Sequence, residues 1–202
     1  MKMPEPTSET DASLIRRLRA GDATAFDTLF ARHRRPLLAY VFGMLNDAGR
    51  AEDIVQDCFL ELVRRIESVD PGRNVAGWLY RVARNKAIDA VRRRKFETGP
   101  ADDERALSAG RTLAALGETD PAPSPLDAML QAESAARVQA ALAALPLRER
   151  DVIALHYFGD LRFREIAKLA RRPLGTVLWQ ARNALAKMKQ LLENDHEKQS
   201  LP

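Results

Sequence analysis

Arg81, Arg84, Lys86, Arg92, Arg93, Arg94 and Lys95 crowd into the stretch WLYRVARNKAIDAVRRRK, residues 78–95, against a single acid, Asp89. Cations at this density suit one task above others, the neutralisation of a polyanion, and nucleic-acid phosphate is the usual one. Like charges on neighbouring helical turns repel, so a helix does not need them for its own stability. The ordinary alternative is a solvated basic face at a helix C-terminus, where the dipole favours cations. That accounts for the last four cations but not for the earlier ones, nor for the aromatics among them. Nucleic-acid contact is the favoured reading. A helix must position these groups: Trp78, Leu79, Val82, Ala83, Ile88 and Val91 fall near helical spacing as an apolar stripe.

Other chemistries find no such support. His33, His156 and His196 are scattered, and neither a nucleophile–base pair nor a glycine-rich phosphate loop is present, so an enzyme is disfavoured. No cofactor or metal is implied. The single cysteine, Cys58, excludes an intramolecular disulfide and sits among Ile54, Val55, Phe59 and Leu62, where a buried inert thiol is expected. The chain has 202 residues, of which 46% are hydrophobic and 30% charged, yet its net charge is only +4. Basicity is therefore local, as suits one anionic partner beside neutral or acidic ones. The N-terminal MKMPEPTSET is no secretory signal, and the longest apolar run, PLLAYVFGML from Pro36, is too short to span a bilayer. A soluble cytoplasmic protein without membrane insertion is expected.

Helical periodicity dominates and strand alternation is nearly absent, so the expected class is all-α. A first helix is expected over residues 11–20, stopped by Gly21. Asp22 caps a second, which Pro36 should kink or restart. Asn46, Asp47 and Gly49 make a turn before a third helix over 51–68. Asp70, Pro71 and Gly72 form a loop before the basic helix. Residues 97–125 then carry four prolines and six acids against two bases, which reads as a flexible acidic linker, with a short helix possible near 104–116. The organisation is a first domain over 11–96, the linker, and a second domain over 126–193. The second domain's helices are expected at 126–145, 147–157, 163–170 and 174–192.

The second domain contains FREIAKLARRPLGTVLWQARNALAKM, residues 163–188. A short helix with an Ile-Ala pair, a tight connection and a longer helix make a helix-turn-helix pattern. Ile166, Ala167 and Val177 would pack the two helices together. Pro173 suits the first turn, where its missing N–H is harmless, and Thr176 is placed to donate to a phosphate or base edge. An ordinary αα-hairpin is the alternative, and the basic first domain tips the balance toward DNA.

Three segments together, AEDIVQDCFLELVRR, NVAGWLYRVARNKAIDAVRRR and ALPLRERDVIALHYFGDLRFREIAKLARRPLGTV, resemble the extracytoplasmic-function (ECF) group of bacterial sigma-70 factors. The resemblance implies a two-domain, dissociable subunit of core RNA polymerase that directs it to promoter DNA. An anti-sigma factor is implied as inhibitory partner. In the first segment it implies polymerase contacts at Asp53, Gln56, Asp57, Phe59 and Leu60. A metal site on Asp53 and Asp57 is much less favoured, since no histidine or further acid is patterned with them.

The loop 69–75 and the start of the basic helix resemble the element that captures a flipped base of the minus-ten motif. That implies DNA contacts at Arg81, Asn85, Lys86, Arg92 and Arg93, with Trp78 fitting the core better than a stacking platform. In the second domain the resemblance implies minus-thirty-five contacts at Arg171, Arg172, Thr176 and Arg182. There the chain departs from the family pattern. Arg171 replaces the turn glycine and Arg172 the apolar residue after it. Leu178, Trp179, Gln180 and Asn183 stand where a Lys-Ser-Arg-Leu run and an arginine-rich continuation are usual. Either Arg171 and Arg172 compensate from the turn, or Leu178 and Trp179 form an apolar patch that binds protein or packs internally. A helix-turn-helix regulator outside the sigma class is the alternative, and the polymerase-gripping helix discriminates against it.

Overall fold

A computed structural model describes residues 9–70, 74–98 and 125–199, and every regular element among them is helical. Helix α1 spans Asp11–Arg19 and α2 spans Ala23–Leu45. Helix α3 spans Ala48–Arg64 and is followed by a 3-10 turn at Ile66–Ser68; α4 spans Val75–Thr98. The second domain comprises α5 (Pro125–Ala143), α6 (Leu147–Tyr157), α7 (Phe163–Ala170) and α8 (Leu174–Gln199). The expected short helix near 104–116 and nearly all of the expected acidic linker lie outside the described residues.

The helix boundaries have local causes. The Asp22 carboxylate accepts from Thr24 N–H at 3.0 Å and so starts α2, while Gly21 adopts φ +88° in the turn before it. Asp47 accepts from Arg50 N–H at 3.1 Å and starts α3. Asn46 ends α2 in the left-handed region at φ 52°. Pro36 does not restart the helix: α2 runs through it to Leu45. The third helix starts and ends earlier than expected: the Asp47 cap sets its start, and its last turn tightens into the 3-10 turn.

The two domains are packed on one another. A single apolar cluster runs from Leu14 and Ile15 through Val41, Phe42 and Ala83 to Val152, Leu155, Ile166 and Val177. Gly43 of α2 permits the close approach, since a Cβ there would lie 2.9 Å from two ring carbons of Phe158. Polar contacts cross the same seam. The Gln139 side-chain amide donates to the Phe42 carbonyl at 3.1 Å, and an Arg150 Nη donates to the Met44 carbonyl at 3.0 Å.

Candidate polymerase and nucleic-acid interfaces

Helix α3 buries Ile54, Val55, Cys58, Phe59 and Leu62. Its opposite face exposes Asp53, Gln56 and Asp57, and next to them Leu60 and Val63 are 52% and 45% exposed. Acids beside solvent-facing aliphatics suit a docking face, since the apolar area would gain from burial and the acids would orient a basic partner. Asp57 accepts from Lys86 Nζ at 2.9 Å, which ties this face to α4. Phe59 does not reach the surface. It is 2% exposed, with its ring 4.8 Å from that of Phe30 and edge-on to it. Its i, i+3 spacing from Leu62 on the core side explains this, so Phe59 builds the platform beneath the docking face. Burial also pushes the Cys58 thiol up to about 12, as expected for an inert group.

Helix α4 is anchored at its start by the Asn74 side chain, which accepts from Gly77 N–H at 3.0 Å. Val75, Leu79, Tyr80, Ala83 and Ala87 form its buried side. Arg81, Asn85, Asp89 and Arg93 are exposed at i, i+4 spacing, with Arg92 alongside. Among the described side chains the remaining cations are engaged: Lys86 by Asp57, Arg94 by the Leu45 carbonyl at 3.3 Å, and Arg84 by Asp151. A cavity of about 400 Å³ opens at the N-terminal end of α4. Asp70, Asn74, Trp78 and Arg81 line one wall. Leu161, Glu165, Lys168 and Leu169 of the second domain line the other. Trp78 is half-buried, so it both packs on the core and faces this cavity.

In the second domain Ile166, Ala167 and Val177 are buried between α7 and α8, as the helix-turn-helix pattern requires. Arg171 turns the chain in the left-handed region at φ 53°, where the family places glycine. Thr176 and Arg182 are exposed on α8. Leu178 and Trp179 are 46% and 61% exposed and do not pack internally. Gln180 and Asn183 face inward instead. Gln180 Oε1 accepts from Arg172 Nη1 at 3.1 Å, and Asn183 Nδ2 donates to the buried Glu149 at 2.7 Å, beside Lys187 Nζ at 2.9 Å. At those two positions polar links between α6, α8 and the turn stand in place of outward cations.

Asp151, only 1% exposed on its side chain, joins the two domains. Arg84 Nε donates to its two oxygens at 3.1 and 2.9 Å, and Arg84 Nη2 lies 2.8 Å away. Arg172 Nη2 lies 3.7 Å from the same carboxylate, and the Tyr40 hydroxyl donates to it at 3.2 Å. Burial, and then the Asp151 charge, push the Tyr40 phenol well above its ordinary value. Burial pulls the Arg172 guanidinium below its own, against the pull of Asp151. Asn85, Arg92 and Arg172, expected to touch two separate promoter sites, line one groove of about 410 Å³ around this carboxylate. Sequence reasoning missed Asp151. Its one signal is an acid followed by the apolar run Val152–Leu155, since a buried carboxylate requires a partner.

Comparison with known proteins decides the family. The family model for Sigma-70 region 2 matches residues 29–97, and that for Sigma-70, region 4 matches residues 135–188. The ECF RNA polymerase sigma factor SigW of Bacillus subtilis is 32% identical over 176 residues, covering 86% of this chain and 93% of SigW. The chain belongs to the ECF sigma factors of the sigma-70 family. The sigma factor is also 30% identical to the RNA polymerase sigma-H factor of Pseudomonas aeruginosa over 193 residues, covering 92% of this chain and 97% of that one. Among solved structures, CnrH in complex with the cytosolic domain of CnrY shares the fold at TM-score 0.66. It is 23% identical and covers 93% of the sigma factor and 99% of CnrH. RpoE in complex with the anti-sigma factor NepR, from Bartonella quintana, shares it at TM-score 0.62 and 20% identity, covering 83% and 96%. Family membership sets aside the alternative of a regulator outside the sigma class. Among the described residues, no helix is long and apolar enough to cross a membrane.

Proposed function

We propose that this sigma factor divides promoter recognition between its domains and must open to carry it out. The exposed α3 face, with Asp53, Gln56, Asp57 and Leu60, grips core polymerase. Arg81, Asn85, Arg92 and Arg93 hold the minus-ten strand, and the cavity bounded by Asp70, Asn74, Trp78 and Arg81 receives an extruded base. Extrusion costs a few kcal/mol, which stacking on the aromatic first-domain wall at Trp78 offsets once α7 has moved away. Thr176, Arg171 and Arg182 present the second domain to the minus-thirty-five site. Lys86 and Arg172 join their respective DNA faces once their internal partners are released.

The observation that carries the proposal is Asp151 between Arg84 and Arg172. Two promoter sites roughly 25 base pairs apart are separated by about 85 Å of duplex at 3.4 Å per base pair. Arg84 and Arg172 reach one carboxylate oxygen at 2.8 and 3.7 Å. One α7 wall also covers the base cavity. The packed form therefore cannot occupy both sites, and promoter binding separates the domains. An anti-sigma factor that prefers the packed form would hold the protein inactive, and the work is done in the cytoplasm alongside polymerase.

Asn85→Ala tests the assignment of the first domain. Permanganate footprinting should show reduced strand opening by holoenzyme, while initial duplex binding changes less. Normal opening by the variant would remove Asn85 and its face from the melting role.

A further inference from the structure

We infer that Arg19 is a positioning residue for promoter opening: from α1 it holds one wall of the base cavity in its receiving shape. The inference rests on the reading of that cavity given above. Arg19 Nε donates to the Ile66 carbonyl at 3.0 Å, and Nη2 donates to the carbonyls of Glu67, at 3.1 Å, and Val69. These acceptors lie where α3 has run out into the 3-10 turn; the Ile66 carbonyl also accepts from Val69 N–H at 3.3 Å, so there Arg19 adds a second donor. Within residues 66–69, then, one planar guanidinium donates to three carbonyls. The next residue, Asp70, lines the cavity together with Ser68 and Val69.

Two features separate Arg19 from an ordinary surface cation. Its neighbour Arg17 pairs with Glu9 and Asp22, at 2.6 and 2.7 Å. Arg19 has no carboxylate partner among the described residues; its polar contacts there are the three carbonyls. It also lies before residue 29, where the match to Sigma-70 region 2 begins, so the region 2 model does not include it. The Val69 side chain beneath the segment is buried, so the segment is held from below by packing and from the side by Arg19. Without the guanidinium the wall has to be ordered when the base arrives, and that ordering cost falls on base capture. Polymerase assembly, which uses the α3 face, is not charged with it.

The test compares holoenzymes carrying wild-type, Arg19→Ala, Arg19→Lys and Asn85→Ala chains. The measured quantities are affinity for a single-stranded minus-ten oligonucleotide, and discrimination against the same oligonucleotide with the captured base replaced. Arg19→Ala should lose about tenfold in affinity and most of the discrimination, with core affinity unchanged. Arg19→Lys keeps the charge without the planar fork and should retain most of the loss. The salt dependence of binding should match wild type in both, because Arg19 neutralises no phosphate. Full recovery by Arg19→Lys, or a reduced salt slope in Arg19→Ala, would make Arg19 a simple charge and overturn the inference. An equal loss on matched and mismatched oligonucleotides would show general destabilisation and overturn it too. If Asn85→Ala loses strand affinity and Arg19→Ala does not, only the positioning role falls. If neither loses it, the assignment of the exposed α4 face to the minus-ten strand falls as well.

Discussion

Helices α4 and α8 are both assigned to DNA, yet they present different surfaces to it. α4 exposes Arg81, Arg92 and Arg93 around Asn85, a face built for phosphate with one amide for a base. α8 exposes Thr176 and Arg182 beside Leu178 and Trp179, a mixed face with little charge. The contrast follows from what each helix must do in its own fold. α4 keeps its apolar side small, with Ala83 and Ala87 against the core, and leaves its outer positions to cations. α8 turns Gln180 and Asn183 inward to tie Arg172 and Glu149 in place. On the proposed assignment, electrostatic attraction is concentrated in the first domain, while the second contributes shape and a few polar contacts. Asp151 sits between the two and draws one arginine from each.

The largest expected effect comes from removing the group that links the two faces. Asp151→Ala leaves Arg84 and Arg172 without their shared carboxylate, and losing one member of a buried ion pair costs about 3–5 kcal/mol. The packed arrangement should open while each domain stays helical. Dyes placed by Arg64→Cys and Gln190→Cys should report lower energy transfer in the Asp151→Ala background, with unchanged far-ultraviolet circular dichroism. Cys58, buried with its thiol at about 12, will not compete for the dyes. Unchanged transfer would mean that apolar packing alone holds the domains and that Asp151 is no latch.

A smaller effect sharpens the contrast from the side of the second domain. Arg171 occupies the left-handed region at φ 53°, which glycine adopts without a Cβ penalty. Arg171→Gly should therefore raise stability by about 0.5–1 kcal/mol, read as a higher midpoint in urea. It should also weaken minus-thirty-five binding. Such opposed signs would mark Arg171 as retained for DNA in spite of the turn. A variant less stable than wild type would show instead that the arginine side chain supports the turn.

Much of this was legible before any coordinates. The cap at Asp22, the turn at Asn46 and Asp47, the inward set Ile166, Ala167 and Val177, and the turn at Arg171 follow from local chemistry, in which near neighbours in sequence decide the outcome. The exposed acids of α3 are legible for the same reason. Phe59 was misplaced because family likeness assigned it a contact, whereas its spacing from Leu62 sets it in the core. Gln180 and Asn183 were taken for missing phosphate contacts because they were compared with cations in relatives. Their partners, Arg172 and Glu149, are brought to them by the fold. Pro36 did not end α2, since flanking residues such as Leu29, Leu37 and Tyr40 are buried and hold the helix together. The pairing of Arg84 with Asp151, 67 residues away, has no local signature at all.

The central claim is that the first domain holds the electrostatic anchor. Holoenzyme affinity for promoter DNA, measured against salt concentration, tests it directly. Each phosphate contact contributes roughly one unit to the slope of log affinity on log salt. The triple variant Arg81→Ala, Arg92→Ala, Arg93→Ala should flatten that slope by about two to three units. The pair Arg171→Ala, Arg182→Ala should flatten it by less, while relaxing discrimination at the minus-thirty-five site. An equal or larger change from the Arg171/Arg182 pair would place the anchor in the second domain and contradict the account.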